Sequence, residues 1–238
     1  MLQTVNCRLA LKFLAIMLLC MGALPSCEQR RAEQTSILPE QECEYLMAVV
    51  VDMSGSYAMQ MQTDAGKAYR FLLLLVDRFF RDRIGSNDKI VIAQVSGAEK
   101  SLLWDGSPRA LRQRFPNAEK FREFLLAGSD PMGSRVHDGV ADTLDYIMGY
   151  PGVVNGETKS ALFVMSDMDD NFPEAERSKA RLLQSLTAYS RLGGVVGFYW
   201  VDQSLVPVWR DGLREAGSDR AVVESEIAEE PLIPTFEN

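Results

Sequence analysis

Apolar residues recur along this chain in two rhythms. The first is short and unbroken: Leu46-Met47-Ala48-Val49-Val50-Val51, Lys89 to Val95, Ser160 to Ser166 and Gly194 to Val201. Runs of this length without polar alternation read as strands buried on both faces. The second rhythm is helical. Ala65, Ala68, Tyr69, Leu72, Leu73, Val76, Phe79 and Phe80 repeat at three- and four-residue spacing, and predict a helix over 64–83. Leu74 and Leu75 widen its apolar face, as for a well-buried helix. Gly85-Ser86-Asn87-Asp88 then breaks the chain.

The same reading gives a short strand over Ser101–Trp104 and a short helix over Asn117–Ala127, with Phe121, Phe124 and Leu125 inward. A helix opens near Ser134, its stripe marked by Val136, Val140, Leu144, Ile147 and Met148, and Pro151-Gly152 follows its end. Glu174–Tyr189 is helical, Pro207 suits the first turn of a helix reaching about Ala216, and Arg220–Val223 reads as an edge strand. Strands alternating with helices predict an α/β domain over 44–223, a three-layer doubly wound fold with a mostly parallel central sheet. Its crossovers are expected to be right-handed. The acidic residues 224–238, with Pro231 and Pro234, read as a loosely held tail.

The first residues follow a different logic. Arg8 and Lys12 form a basic n-region ahead of the uncharged, mostly apolar run Phe13–Leu24. That run is shorter than the roughly 20 residues a spanning helix needs, and it fits the h-region of a secretory signal over 1–26. It ends in Leu24-Pro25-Ser26-Cys27, which resembles a bacterial lipobox, with Pro25 a departure from the usual small or aliphatic residue. The resemblance implies lipidation of Cys27 and a protein held at a membrane of the bacterial cell envelope. Glu28, rather than aspartate, after that cysteine favours outer-membrane sorting under the enteric rule. An ordinary cleaved signal is the other reading. Polar residues 27–43, with Pro39, serve as the tether. Cys7 and Cys20 leave with the signal, so a lipidated chain keeps Cys43 alone and forms no internal disulfide. Cys43 is expected to be an inert, partly buried thiol.

A formal charge of −8 and a pI near 4.9 argue against nucleic acid as a partner. The apolar content of 47% is ordinary for a globular core.

Candidate chemistry gathers in three segments, each at a predicted strand end or helix start. Asp52-Met53-Ser54-Gly55-Ser56 follows the first strand, Gly133-Ser134-Arg135-Val136-His137-Asp138 opens a helix, and Ser166-Asp167 follows the strand ending at Met165. Ligands of open α/β sheets bind at the carboxyl ends of strands. Carboxylate and hydroxyl oxygens suit a hard cation such as Mg2+. The residues also have local uses. Asp52, Ser54 and Ser56 can bond turn backbone, Ser134 can be an N-cap, and Asp167 can cap or form an ion pair. His137, the only histidine, reads as a surface or satisfied side chain, and Asp169 and Asp170 as solvated loop charges. Asp167-Met168-Asp169-Asp170-Asn171 is not an EF-hand loop, because Phe172 and Ser178 stand where that pattern needs glycine and glutamate.

These segments, in this order, resemble the von Willebrand factor type A (VWA) domain family. Its metal-ion-dependent adhesion site combines Asp-x-Ser-x-Ser, a threonine before a helix and an aspartate after a later strand. Asp52, Ser54 and Ser56 match the first element and Asp167 the last, while Ser134 stands in the threonine's place. Asn87-Asp88-Lys89-Ile90-Val91 is similar to the family's second strand, and the resemblance covers roughly 44–217. It implies a Rossmann-like VWA fold and a divalent ion (Mg2+, or Mn2+ or Ca2+) held by Asp52, Ser54, Ser56, Ser134 and Asp167. It also implies a protein partner whose Glu or Asp supplies an oxygen to that ion. Two departures stand out. Ser134 keeps the ligating oxygen but lacks the methyl that restricts the rotamer, implying weaker metal binding. Met168 occupies a position where the family often has glycine.

Two other function classes compete with a binding module. A Mg2+ phosphohydrolase of the haloacid dehalogenase type needs Asp-x-Asp, and Ser54 stands where its second aspartate belongs. The chain also has no Gly-x-Ser-x-Gly elbow and no triad around its one histidine, so an enzyme is not expected. The other class is a structural or assembly scaffold whose metal site is vestigial.

Overall fold

The computed structural model describes residues 43–55, 57, 61, 66–81, 87–95, 101–129, 133–225, 232–234 and 236. The expected signal segment, Cys27, nearly all of the tether, and Ser56 lie outside the described residues.

Strand β1 (Tyr45–Asp52) is buried at every position and sits between two parallel neighbours, β2 (Lys89–Val95) and β4 (Lys159–Met165). Strand β3 (Leu102–Gly106) pairs antiparallel with β2 at one edge. Parallel strands β5 (Val195–Tyr199) and β6 (Val222–Glu224) extend the other side, giving the order β3-β2-β1-β4-β5-β6. The chain therefore starts in the middle, builds outward in one direction, then returns and builds outward in the other. The reversal falls between β1 and β4, where open α/β sheets form their ligand crevice. This is the α/β doubly wound architecture the apolar rhythm predicts.

Alternation along the strands divides the core into two faces. Leu46, Ala48 and Val50 pack with Val91, Ala93, Leu162 and Val164 on one face. Three helices cover it: α4 (Val136–Met148), α6 (Ala175–Arg191) and α7 (Val206–Glu215). Met47, Val49 and Val51 pack with Ile90, Ile92, Phe163 and Met165 on the opposite face, under α1 (Lys67–Arg81) and α3 (Ala118–Ala127). Within α1, Leu75 is buried but Leu74 is 43% exposed, so the apolar face is narrower than expected. The helix N-terminus of α3 is capped by Asn117, whose Oδ1 accepts from the Lys120 N–H at 2.9 Å.

Two short helices were not legible from apolar spacing. Helix α2 (Pro108–Arg114) starts with proline and is capped by Ser107. Helix α5 (Pro151–Val154) begins at the proline that reads as a simple stop after α4. Gly139 lets α4 lie on β2, since a Cβ there would stand 2.5 Å from Val95 Cγ1. Cys43 is buried, and burial pushes its thiol proton affinity up, as expected of an inert thiol.

The acidic tail is held more firmly than its composition suggests. Tyr199 donates its hydroxyl to the Leu232 carbonyl at 2.6 Å. Phe236 lies edge-on to Tyr45 at 5.3 Å and tilted against Phe79 at 5.8 Å. These rings close the end of the α1-side core. Phe236→Ala is expected to lower stability by about 2 kcal/mol, at the lower side for an aromatic truncation because the ring is half-buried. Urea unfolding checks this, and an unchanged midpoint would show that the tail carries no load.

Candidate metal centre at the carboxyl ends of β1 and β4

Asp52 is the last residue of β1 and is 0% exposed. A carboxylate taken out of water needs donors, and three reach it. Ser54 gives its N–H (2.8 Å) and its hydroxyl (2.6 Å) to Oδ1, while the Ser166 hydroxyl donates to Oδ2 at 2.7 Å. Ser166 Oγ in turn accepts the Met168 N–H at 3.0 Å. The first and third segments are thus joined through one buried carboxylate. Donating its proton to Asp52 leaves the lone pairs of Ser54 Oγ available to a cation.

The second segment is tied in by the loop after β4. Ser134 is 4% exposed, and its N–H donates to Asn171 Oδ1 at 3.2 Å. Its hydroxyl oxygen is buried and makes no hydrogen bond. The N-cap reading of Ser134 does not hold: the cap position of α4 is Arg135, with no side-chain cap bond. Asp170 serves that helix end instead. Its Oδ2 accepts the His137 N–H at 3.1 Å and its Oδ1 the Phe172 N–H at 3.1 Å, with the side chain only 1% exposed. Asp170 is therefore not the solvated charge expected, because a carboxylate is stabilised at a helix N-terminus. Asp169 is exposed, as expected. His137 is a buried residue whose Nδ1 lies 3.3 Å from the Ala175 carbonyl and 3.5 Å from Asp170 Oδ2, with its ring 5.3 Å from that of Trp209.

Asp167 is half-buried just past β4. Its Oδ1 accepts the Asp169 N–H at 3.0 Å, and its carbonyl accepts the Asp202 N–H at 2.9 Å. Met168 follows with φ 62°, the left-handed region, and is buried in the core. Glycine adopts that conformation without strain; for methionine it costs about 1–2 kcal/mol, offset here by burial of the side chain.

Electrostatically the site is short of positive charge. Burial pushes Asp52 up to about 6, against the opposing effect of the Ser54 and Ser166 bonds. Burial also raises Asp167, and the neighbouring Asp169 and Asp202 carboxylates add to the rise. No Lys, Arg or His among the described residues forms an ion pair with either group. Among the described residues no group of three or more His, Cys, Asp or Glu is placed to hold a metal ion. The donor set is instead hydroxyl and carboxylate oxygen, which suits a hard cation and not a soft one. The unpartnered Ser134 hydroxyl fits such an ion as well.

Two residues near the site were missed from sequence. Asp202 repeats the Asp52 turn after β5, with Oδ1 accepting the Ser204 N–H (2.8 Å) and hydroxyl (2.5 Å). Those bonds hold its carboxyl below the usual range. The signal was an Asp-x-Ser directly after a predicted strand. The second is Tyr57, one residue beyond Ser56, whose ring gave the sequence no reason to count it as more than core.

No protein-family model matches the sequence, and no curated protein matches it. Solved structures do share its architecture. The SpRpn10 VWA domain superposes with a TM-score of 0.52 at 10% identity, over 80% of this chain and 91% of that one. The pilus adhesin SpaC from Lactobacillus rhamnosus GG, in its open conformation, gives 0.53 at 11% identity, over 79% of this chain and 28% of the adhesin. The fold is that of the VWA domain.

The raised carboxylates have a pH consequence. A group bound more tightly to its proton when folded stabilises the protein below its unfolded pKa, and that stabilisation is lost as pH rises through the folded value. With divalent ions chelated, stability should fall between about pH 4 and the value of about 6 given by Asp52, with Asp167 acting in the same direction. Asp52→Asn should remove its share and make the variant more stable at pH 7 by on the order of 2 kcal/mol. Urea midpoints of both proteins at pH 4.5 and 7 test this; parallel pH profiles would refute it.

Proposed function

We propose that this protein is a membrane-anchored binding module of the cell envelope that grips a protein partner through a divalent cation. Asp52, Ser54, Ser56, Ser134 and Asp167 would hold the ion, and lipid on Cys27 would hold the chain. The observation that carries the reading is the pairing of a fully buried Asp52 carboxylate, satisfied only by hydroxyl and backbone donors, with an unpartnered Ser134 hydroxyl. When bound, a Mg2+ or Mn2+ ion supplies an electrophilic centre that accepts one more oxygen.

The chain's own residues set how strongly that centre attracts. Two carboxylates balance a divalent charge without exceeding it, and neutral hydroxyls leave the ion electron-poor. A Glu or Asp side chain of a partner is then the best available ligand. Asp52 fixes the geometry by bonding both Ser54 and the Ser166 turn. Asp170 and Asn171 hold the backbone before α4, so that Ser134 is delivered by a braced loop. Exposed Asp169 and Asp202 rim the site and would repel a broadly acidic surface, favouring a partner that offers a single carboxylate. A shared architecture with a pilus adhesin supports the adhesive reading at the level of fold alone.

Calorimetric titration of Mg2+ and Mn2+ into the protein is the test. Saturable binding, lost in Asp52→Ala and in Ser134→Ala, is the expected result, followed by partner capture that chelation reverses. No binding by the native protein would leave a scaffold with a vestigial site, and metal-dependent turnover of a phosphate ester would reveal an enzyme instead. Ser134→Thr should bind metal a few-fold more tightly than the native protein, because the added methyl narrows the rotamers of the ligating oxygen. Weaker binding would mean that the loop is built for serine.

A further inference from the structure

A groove runs between α1 on one side and α2 with the start of α3 on the other. Leu73 and Val76 line it from α1, Leu111 from α2, and Phe115, Pro116 and Phe121 from the corner that joins α2 to α3, around a cavity of about 270 Å³. Its walls are braced. The Phe115 ring lies 4.7 Å from Phe124, 5.3 Å from Phe121 and 5.8 Å from Trp104. The Tyr69 hydroxyl of α1 donates to the Ala118 carbonyl, and the Arg122 guanidinium lies 5.7 Å from the Tyr69 ring, so α1 and α3 are tied together. Leu74, beside Leu73, is 43% exposed.

The charge around this groove runs against that of the chain. The protein carries −8, yet α1 and α2 together hold seven basic residues and one acid. That acid, Asp77, is a lining residue already paired with Arg81 at 2.7 Å. Arg112 lines the groove from α2, and Arg70 and Arg78 stand one turn either side of Leu74 on α1. Six of the seven bases are arginine. Solubility alone is served as well by lysine. Arginine is the cation enriched at protein interfaces, where its planar fork takes a carboxylate through two bonds.

We propose that this groove is a docking site for an acidic amphipathic helix of a partner protein. Its apolar side chains would seat between Leu73 and Phe115, and its carboxylates would meet the arginines of α1 and α2. Three features select that occupant. The cavity is smaller than the roughly 300–1,000 Å³ of small-molecule pockets, and fits anchoring side chains instead. Its walls are helices, which bond their backbone internally and offer no strand edge, so an occupant must satisfy its own backbone, as a helix does. Arginine at the margins calls for acid on the partner. The groove shares no residue with the candidate metal centre, so the two readings stand or fall separately.

Two labelled peptides test the proposal, both with leucine and phenylalanine anchors at i, i+3, i+4 and i+7, one flanked by glutamate and the other by lysine. Fluorescence anisotropy with the protein in chelator is expected to show saturable binding of the glutamate peptide that weakens as salt is added. The lysine peptide should bind at least about tenfold more weakly. Leu74→Glu and the double variant Arg70→Glu/Arg112→Glu should each lose about tenfold in affinity for the glutamate peptide. Their melting temperatures should stay near native, because all three positions are exposed. Equal binding of the two peptides, or native-like affinity in the variants, would overturn the proposal. Binding of phosphatidylglycerol vesicles in place of the glutamate peptide would overturn it in favour of a membrane-facing surface. Self-association of the protein that Leu74→Glu abolishes would overturn it by giving the groove to a second copy of this chain.

Discussion

Asp52 Oδ2 and the Ser166 hydroxyl meet at 2.7 Å in a place that water does not reach. Everything else in the candidate site is organised around that bond. A carboxylate at the end of the most buried strand cannot stay charged without donors, so the chain folds two loops against it. Ser54 turns back from one side and Ser166 comes across from the neighbouring strand. The loop that carries Ser166 continues to Asp170 and Asn171, which brace the start of α4. One buried acid thereby fixes the first loop against the third, and the third fixes the second.

The cost of this arrangement falls on the same residues that carry its chemistry. Asp52 and Asp167 are held with raised proton affinity, Met168 with left-handed backbone, and Ser134 and Tyr57 with unpaired hydroxyls. Each costs stability when taken alone. Their concentration at the switch point between β1 and β4, while the core beneath is regular, follows the rule that strain gathers where a protein does its work.

Local chemistry decided how much of this could be read beforehand. Val49-Val50-Val51 can hardly be other than a buried strand, and the Asp-x-Ser turn after it is a matter of adjacent residues, so β1 and Asp52 were legible. The parallel sheet followed from the same unbroken runs. Asp170 was misread because its partner, the N-terminus of α4, is 33 residues away and only the fold brings the two together. Leu74 was assigned to the core because a helix rich in leucine hides which residue looks outward. Helix α2 was overlooked because seven residues, among them three arginines, carry too little apolar rhythm to register. The tail reads as loose from its charge, yet Phe236 packs against Tyr45 and Phe79 and Tyr199 bonds the Leu232 carbonyl, contacts that composition does not reveal. The Tyr57 hydroxyl is invisible for a related reason, since a ring directly after Ser54-Gly55-Ser56 gives no sign of what its oxygen faces.

The chain enters β1 after Cys43, at the amino end of the strand, while the candidate site lies at its carboxyl end, at Asp52. A pull applied between the residues that precede Tyr45 and the turn at Asp52 would therefore run lengthwise along β1. That strand is flanked on both sides by parallel neighbours, in register over seven residue pairs with β2 and seven with β4. Force along the axis loads those rungs in shear, so they must give way together instead of opening one after another like a zipper. The strand that presents the site is also the part of the sheet best placed to bear a pull on it.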